Sequence, residues 1–164
     1  TKKPSPVRSA SCFLPLWAGA ASKSQAIKCV RHLLNKNEFW TAMPVPSVAI
    51  NETSFCRDYW RGGVWINYNM MIVQGLMRCG FRREAKTLAK KTVDAMARWH
   101  EKTGCIYEVY DPLDETRPDL LPNRSSRLGA TYTEFSTVIR NYGWSCAGFI
   151  QLVDFLAKPS LSMV

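Results

Sequence analysis

The residues of this sequence best suited to chemistry are carboxylates set among aromatic rings. Three clusters carry most of the aromatics of interest: Asp58-Tyr59-Trp60-Arg61, Tyr107-Glu108-Val109-Tyr110-Asp111 and Tyr142-Gly143-Trp144. Aromatic faces stack on the C–H surfaces of sugars, and charged groups bond sugar hydroxyls. A carboxylate held among rings is partly desolvated, which raises its pKa and suits acid or base work. Cleaving a glycosidic bond takes two such carboxylates flanking it. Each cluster also has a purely structural account. Tyr59-Trp60 can act as a hydrophobic staple, Arg61 can bond helix-end carbonyls, and Glu108 can belong to a surface ion pair. Composition alone therefore leaves a helical domain whose aromatic clusters either bind sugar or simply pack.

The elements that must position these clusters are helices. "SKSQAIKCVRHLLN" places Ala26, Ile27, Val30, Leu33 and Leu34 at helical spacing, with Ser22 or Ser24 as N-cap. Before it, "SCFLPLWAGA" predicts a short helix ending in a turn at Gly19. Pro44 and Pro46 make "FWTAMPVPSVAINETSF" an extended loop. A helix over about 65–79 is apolar nearly all round (Ile66, Met70, Met71, Ile72, Val73, Leu76, Met77), the pattern of a buried helix, and Gly80 stops it. Its successor, about 82–102, carries one stripe (Ala85, Leu88, Ala89, Val93, Met96, Trp99), is otherwise charged, and ends at Gly104. A buried helix followed by a half-exposed one is what two concentric helical layers produce. "CIYEVYDP" predicts a short extended segment, about 113–142 a long loop, and about 144–157 a last apolar helix ended by Pro159.

The 164 residues suffice for one modest domain with a core. Starting at Thr1 rather than Met, the chain is expected to be a piece of a longer one, with a loose arm at 1–11 ahead of a helical region at 12–164. No apolar run approaches the length of a membrane span, and no signal-peptide pattern opens the sequence. The formal charge of +9 raises nucleic-acid binding as a rival. From Arg78 to Lys102, however, eight Lys/Arg face three acids on an amphipathic helix, so a solvated outer face accounts for much of the excess. The six cysteines include no C-x-x-C pair, and mostly free thiols are expected.

Several stretches occur together in a family's order: "FLPLWAGAA", "LLNKNEFW", "MPVPSVAIN", "YWRGGVWINYNMMIVQGL", "IYEVYDP" and "YGWS". On these the chain, from about Cys12 to Leu156, resembles the C-terminal part of the (α/α)6-barrel glycoside hydrolases. The group is that of the processing α-glucosidases and mannosylglycerate hydrolases, with trehalases as cousins. The resemblance implies an all-α fold, a partial (α/α)6 toroid with long connecting loops, and an active cleft where loops enter the inner helices. It implies that Glu108 is the general base of an inverting hydrolase acting on an α-linked glucosyl or mannosyl unit. Trp60, Arg61 and Trp144 would meet the sugar, with Tyr59 and Asn69 in the substrate-binding set as its supports. No cofactor and no metal are implied. The partners implied are a carbohydrate substrate and the N-terminal portion of the same barrel.

The sequence also departs from that family. Gly63 stands where proline is usual, which would loosen the turn, and Tyr142 stands for a phenylalanine. "LDETRPDLLPNRSSRLGATYTEFSTVIRN" lengthens the loop after Asp111-Pro112 and brings in Glu134 as a rival base. The family's general acid is an aspartate upstream of anything in this chain, so Asp58 is the in-chain substitute. A non-catalytic carbohydrate-binding or interaction module is the alternative. With only four or five of twelve helices present, apolar helix faces are expected to lie uncovered.

Overall fold

The structure, a computed structural model, describes residues 5–122 and 138–158. Five α-helices carry these residues: α1 (Leu14–Ala18), α2 (Lys23–Leu33), α3 (Ile66–Arg78), α4 (Arg82–Thr103) and α5 (Gly143–Ala157). Single 3-10 turns lie at Ala10–Phe13, Tyr59–Arg61 and Pro118–Leu120. Among the described residues β pairing is limited to isolated bridges, so "CIYEVYDP" is extended without forming a strand.

Local chemistry sets the helix ends. Ser22 accepts a hydrogen bond from the Gln25 N–H, and the Gln25 side chain accepts from the Ser22 N–H at 2.8 Å, which closes a capping box on α2. Gly19, Gly80 and Gly104 follow α1, α3 and α4 with φ of 70°, 85° and 70°, the left-handed region that a residue with a Cβ enters only at a cost.

Helix α3 is central and packs against α1, α4 and α5. The α1 crossing is close because of Gly75: a Cβ there would lie 2.6 Å from the Trp17 backbone nitrogen. Gly148 does the same for α5, where a Cβ would meet Ile66 Cγ2 at 2.8 Å. Helix α4 turns back on α3 after Gly80 and buries Ala85, Leu88, Ala89, Thr92, Ala95, Met96 and Trp99. That is the expected stripe with two changes. Ala95 joins it, and Thr92 replaces Val93 on the inner face because its hydroxyl is satisfied there, donating to the Leu88 carbonyl and receiving from Asn69. The remaining face of α4 is charged and exposed, an inner-and-outer pair as the sequence predicts.

On α5, Ile150 and Val153, three residues apart and so on one face, are 67% and 40% exposed. An apolar face without its neighbour presents itself this way. Cys12, Cys29, Cys79, Cys105 and Cys146 are free thiols. No helix among the described residues is long and apolar enough to cross a membrane.

Part of the segment 1–11, expected as a loose arm, is held in place. From Arg8 onward the chain is docked, with Arg8 reaching Glu52 at 2.6 Å and Glu38 at 2.9 Å, and Ser9 bridging to Val48. Ala10 is buried.

Candidate active site

The loops meet in a row of bridges. Pro46 pairs with Val64, Val64 with Tyr110, and Tyr107 with Arg140. Val64 and Tyr110 exchange both backbone hydrogen bonds, at 2.9 and 3.1 Å, so the segment leading into α3 lies beside the one carrying Glu108. Segment 138–142, leading into α5, lies on the other side of Glu108. The Glu108 N–H donates to the Ile139 carbonyl at 2.9 Å, and the Tyr142 N–H donates to the Ile106 carbonyl at 3.2 Å.

The turn Tyr59–Arg61 has a backbone that only particular neighbours permit. Tyr59 has φ of 50°, an uncommon conformation for a bulky residue and one that clusters at functional sites. Gly62 and Gly63 let the turn press on its surroundings, since a Cβ would stand 2.3 Å from the Cys56 carbonyl and 2.4 Å from Val109 Cγ2 respectively. The Gly63 N–H also donates to the Tyr59 carbonyl at 3.0 Å. The expectation that glycine at 63 loosens the turn is therefore corrected: here the glycine tightens it against Val109. Gly63→Pro should remove that hydrogen bond and overpack Val109, lowering stability by about 1–3 kcal/mol in urea unfolding.

Out of this turn rises an aromatic stack. Trp60 lies flat on Trp65, with centroids 3.7 Å apart and rings 1° from parallel. Tyr59 meets Trp65 edge-on at 4.8 Å, and the Trp65 indole N–H donates to the Tyr59 carbonyl at 3.3 Å. Trp65 is buried, whereas Trp60 is 39% exposed, so its ring is covered on the Trp65 side and partly open to solvent. If Trp60 meets the sugar as the resemblance implies, Trp60→Ala in the full-length protein should cost about 1 kcal/mol of stacking, a rise of about five-fold in KM with little change in kcat.

Glu108 is 5% exposed and joins the two sides of the site. Its Oε1 accepts from the Tyr59 hydroxyl at 3.4 Å, and its Oε2 faces the Ile139 N–H at 3.5 Å. The Ser145 hydroxyl, in the first turn of α5, donates to its backbone carbonyl at 3.4 Å. The Tyr142 phenol is pushed above its usual pKa by burial and by the nearby negative charge of Glu108. It stays protonated near neutrality and can donate. Tyr142 also leans on Trp144, centroids 5.7 Å apart, and Trp144 is 58% exposed at the start of α5.

Glu108, Tyr59, Trp60, Tyr142 and Trp144 thus form one connected set. Other sequence-predicted residues fall differently. Arg61 is exposed, and its guanidinium donates to the Ser54 carbonyl at 3.5 Å. Asp58 is buried at the N-cap of the turn, its carbonyl receiving the Arg61 N–H at 2.9 Å. Asn69, expected among the supports of the site, is wholly buried. Its amide receives the Val45 N–H at 3.2 Å, donates to Thr92 at 2.9 Å and donates to the Pro44 carbonyl. It holds the 44–45 loop to α3 and α4. Glu134 lies outside the described residues.

The sequence places Asp111 in one of the clusters without showing its role. Its fully buried carboxylate receives the N–H groups of Leu113, Glu115 and Thr116 at 3.2, 3.2 and 2.9 Å, and Arg57 at 3.2 Å. An aspartate ahead of proline at the start of a loop is the signal that could have found it. Among the described residues no group of three or more His, Cys, Asp and Glu side chains could hold a metal ion.

A helical hairpin core with its acidic and aromatic site at the loops entering α3 and α5 defines a portion of an (α/α)6 glycoside hydrolase fold. The chain belongs to the mannosylglycerate hydrolase MGH1-like glycoside hydrolase domain family, which matches residues 1–145. Mannosylglycerate hydrolase MGH1 of Selaginella moellendorffii is 33% identical over 109 residues, 66% of this chain and 21% of that protein. Mannosylglycerate hydrolase of Thermus thermophilus is 36% identical over 115 residues, 68% of this chain and 26% of that protein. A crystal structure of GH63 mannosylglycerate hydrolase from Thermus thermophilus in complex with glucose superposes with a TM-score of 0.65 at 27% identity. The superposition covers 93% of this chain and 30% of that one. Neutral trehalase Nth1 from Saccharomyces cerevisiae shares the fold, with a TM-score of 0.65 at 21% identity, covering 94% of this chain and 24% of that one. The chain spans about a fifth to a quarter of the length of these curated relatives.

Proposed function

We propose that this chain is the C-terminal portion of an inverting glycoside hydrolase acting on an α-linked glucosyl or mannosyl unit, and that it contributes the general base and part of the sugar site. The observation that supports the reading is the setting of Glu108: a buried carboxylate bonded to the Tyr59 hydroxyl and the Ile139 N–H, near Tyr142 and beside a partly exposed tryptophan stack. Glu108 takes a proton from the water that attacks the anomeric carbon, on the side opposite the departing oxygen. Tyr59 steadies one carboxylate oxygen and the Ile139 N–H the other. Trp60 and Trp144 line the sugar, and Arg61 stands at the rim for its hydroxyls. The general acid comes from the remainder of the barrel, with Asp58 as the in-chain alternative. Mannosylglycerate and trehalose, after which the relatives are named, are the first compounds to try.

A non-catalytic carbohydrate-binding module is the second reading, favoured by the small share of each relative that this chain spans. The experiment is to give the full-length protein carrying this chain α-glucosyl and α-mannosyl substrates and follow reducing-sugar release together with sugar binding. Release is expected. Binding without release on every substrate would favour the module.

A further inference from the structure

The lengthened loop after Asp111-Pro112 does not simply hang from the site. Its return limb forms part of the wall around Glu108. The outgoing limb is fastened by Asp111, which receives three backbone N–H groups and Arg57. The return limb, 138–142, is held by little backbone pairing: one isolated bridge between Tyr107 and Arg140 and single hydrogen bonds at Ile139 and Tyr142. Pairing this short is marginal without further support.

That support comes from Asp119, at the Pro118–Leu120 turn of the outgoing limb. Its carboxylate is 6% exposed and spans the two limbs, with Oδ1 receiving Arg117 Nε at 2.6 Å and Oδ2 receiving Arg140 Nη2 at 2.7 Å. Burial acts to raise its pKa, but the two arginines outweigh it and hold the carboxyl below its ordinary value, so it is charged at neutral pH. The Arg140 guanidinium is correspondingly raised, first by its hydrogen bond to Asp119. Arg140 directly follows Ile139, whose N–H faces Glu108 Oε2 at 3.5 Å. A contact already at that length is lost with a shift of a few tenths of an ångström.

We infer that Asp119 is a positioning residue for Glu108: by tying Arg140 to Arg117 it holds the return limb so that the Ile139 N–H stays against the carboxylate. The inference rests on the reading of Glu108 as the base. Freed of the clamp, Glu108 loses a hydrogen-bond donor and with it a fixed orientation, while the Trp60–Trp65 stack on the other side is untouched.

The test uses the full-length protein. Asp119→Ala should lower kcat about ten-fold with KM within two-fold. Asp119→Glu should recover most of kcat. Arg140→Gln, which leaves Asp119 its Arg117 partner, should repeat the Asp119→Ala pattern and serves if that variant does not fold. Glu108→Gln is measured alongside. If it loses turnover while Asp119→Ala and Arg140→Gln leave kcat unchanged, the positioning role is overturned and the base reading stands. A fall in stability with kcat unmoved also overturns it. If Glu108→Gln keeps wild-type turnover, both readings fall together.

Discussion

Glu108→Gln in the full-length protein should reduce turnover by about 10³-fold, the middle of the range that a positioned general base supplies. The substitution keeps the shape of the side chain and one acceptor oxygen, which can take the bond from the Ile139 N–H while the amide NH2 turns to the Tyr59 hydroxyl oxygen. It removes the ability to take a proton. Sugar affinity, carried by the tryptophan stack and the rim, should stay within a few-fold. A small effect on turnover would mean that water is activated elsewhere, with Glu134 the first residue to examine. A large loss of affinity would mean that Glu108 holds the sugar rather than the water.

The second large effect is on stability. Asn69→Ala should destabilise the protein by about 3 kcal/mol, read as a lower urea midpoint with little change in slope. The loss is not that of one hydrogen bond. The Val45 N–H and the Pro44 carbonyl are both satisfied by this amide in a fully buried position, and both would be stranded. Thr92 keeps its bond to the Leu88 carbonyl, so it adds less. A cost under about 0.5 kcal/mol would show that the 44–45 loop re-forms its hydrogen bonds with water, contrary to its burial.

These two residues also mark how far the sequence could be read. The α3 and α4 helices follow from local periodicity, and α2 from a serine cap with its glutamine partner, because such signals are contained within a few turns. Glu108 and the Trp60 and Trp144 rings were singled out by the ordered set of motifs. What they touch was not. Glu108 meets Ile139 across 31 residues, and Gly63 meets Val109 across a loop bridge, contacts that no local pattern encodes. Asn69 shows the same limit: one helical turn beyond Trp65, its bonds to the 44–45 loop lie 24 and 25 residues away. The arm before Cys12 looked loose because Arg8 finds its partners 30 and 44 residues away.

The most direct measurement is the anomeric configuration of the first sugar released by the full-length protein, followed by proton NMR before mutarotation. If Glu108 acts on water, an α-linked substrate must give the β-anomer first. Initial release of the α-anomer would contradict the account, because retention requires a carboxylate that attacks the sugar itself.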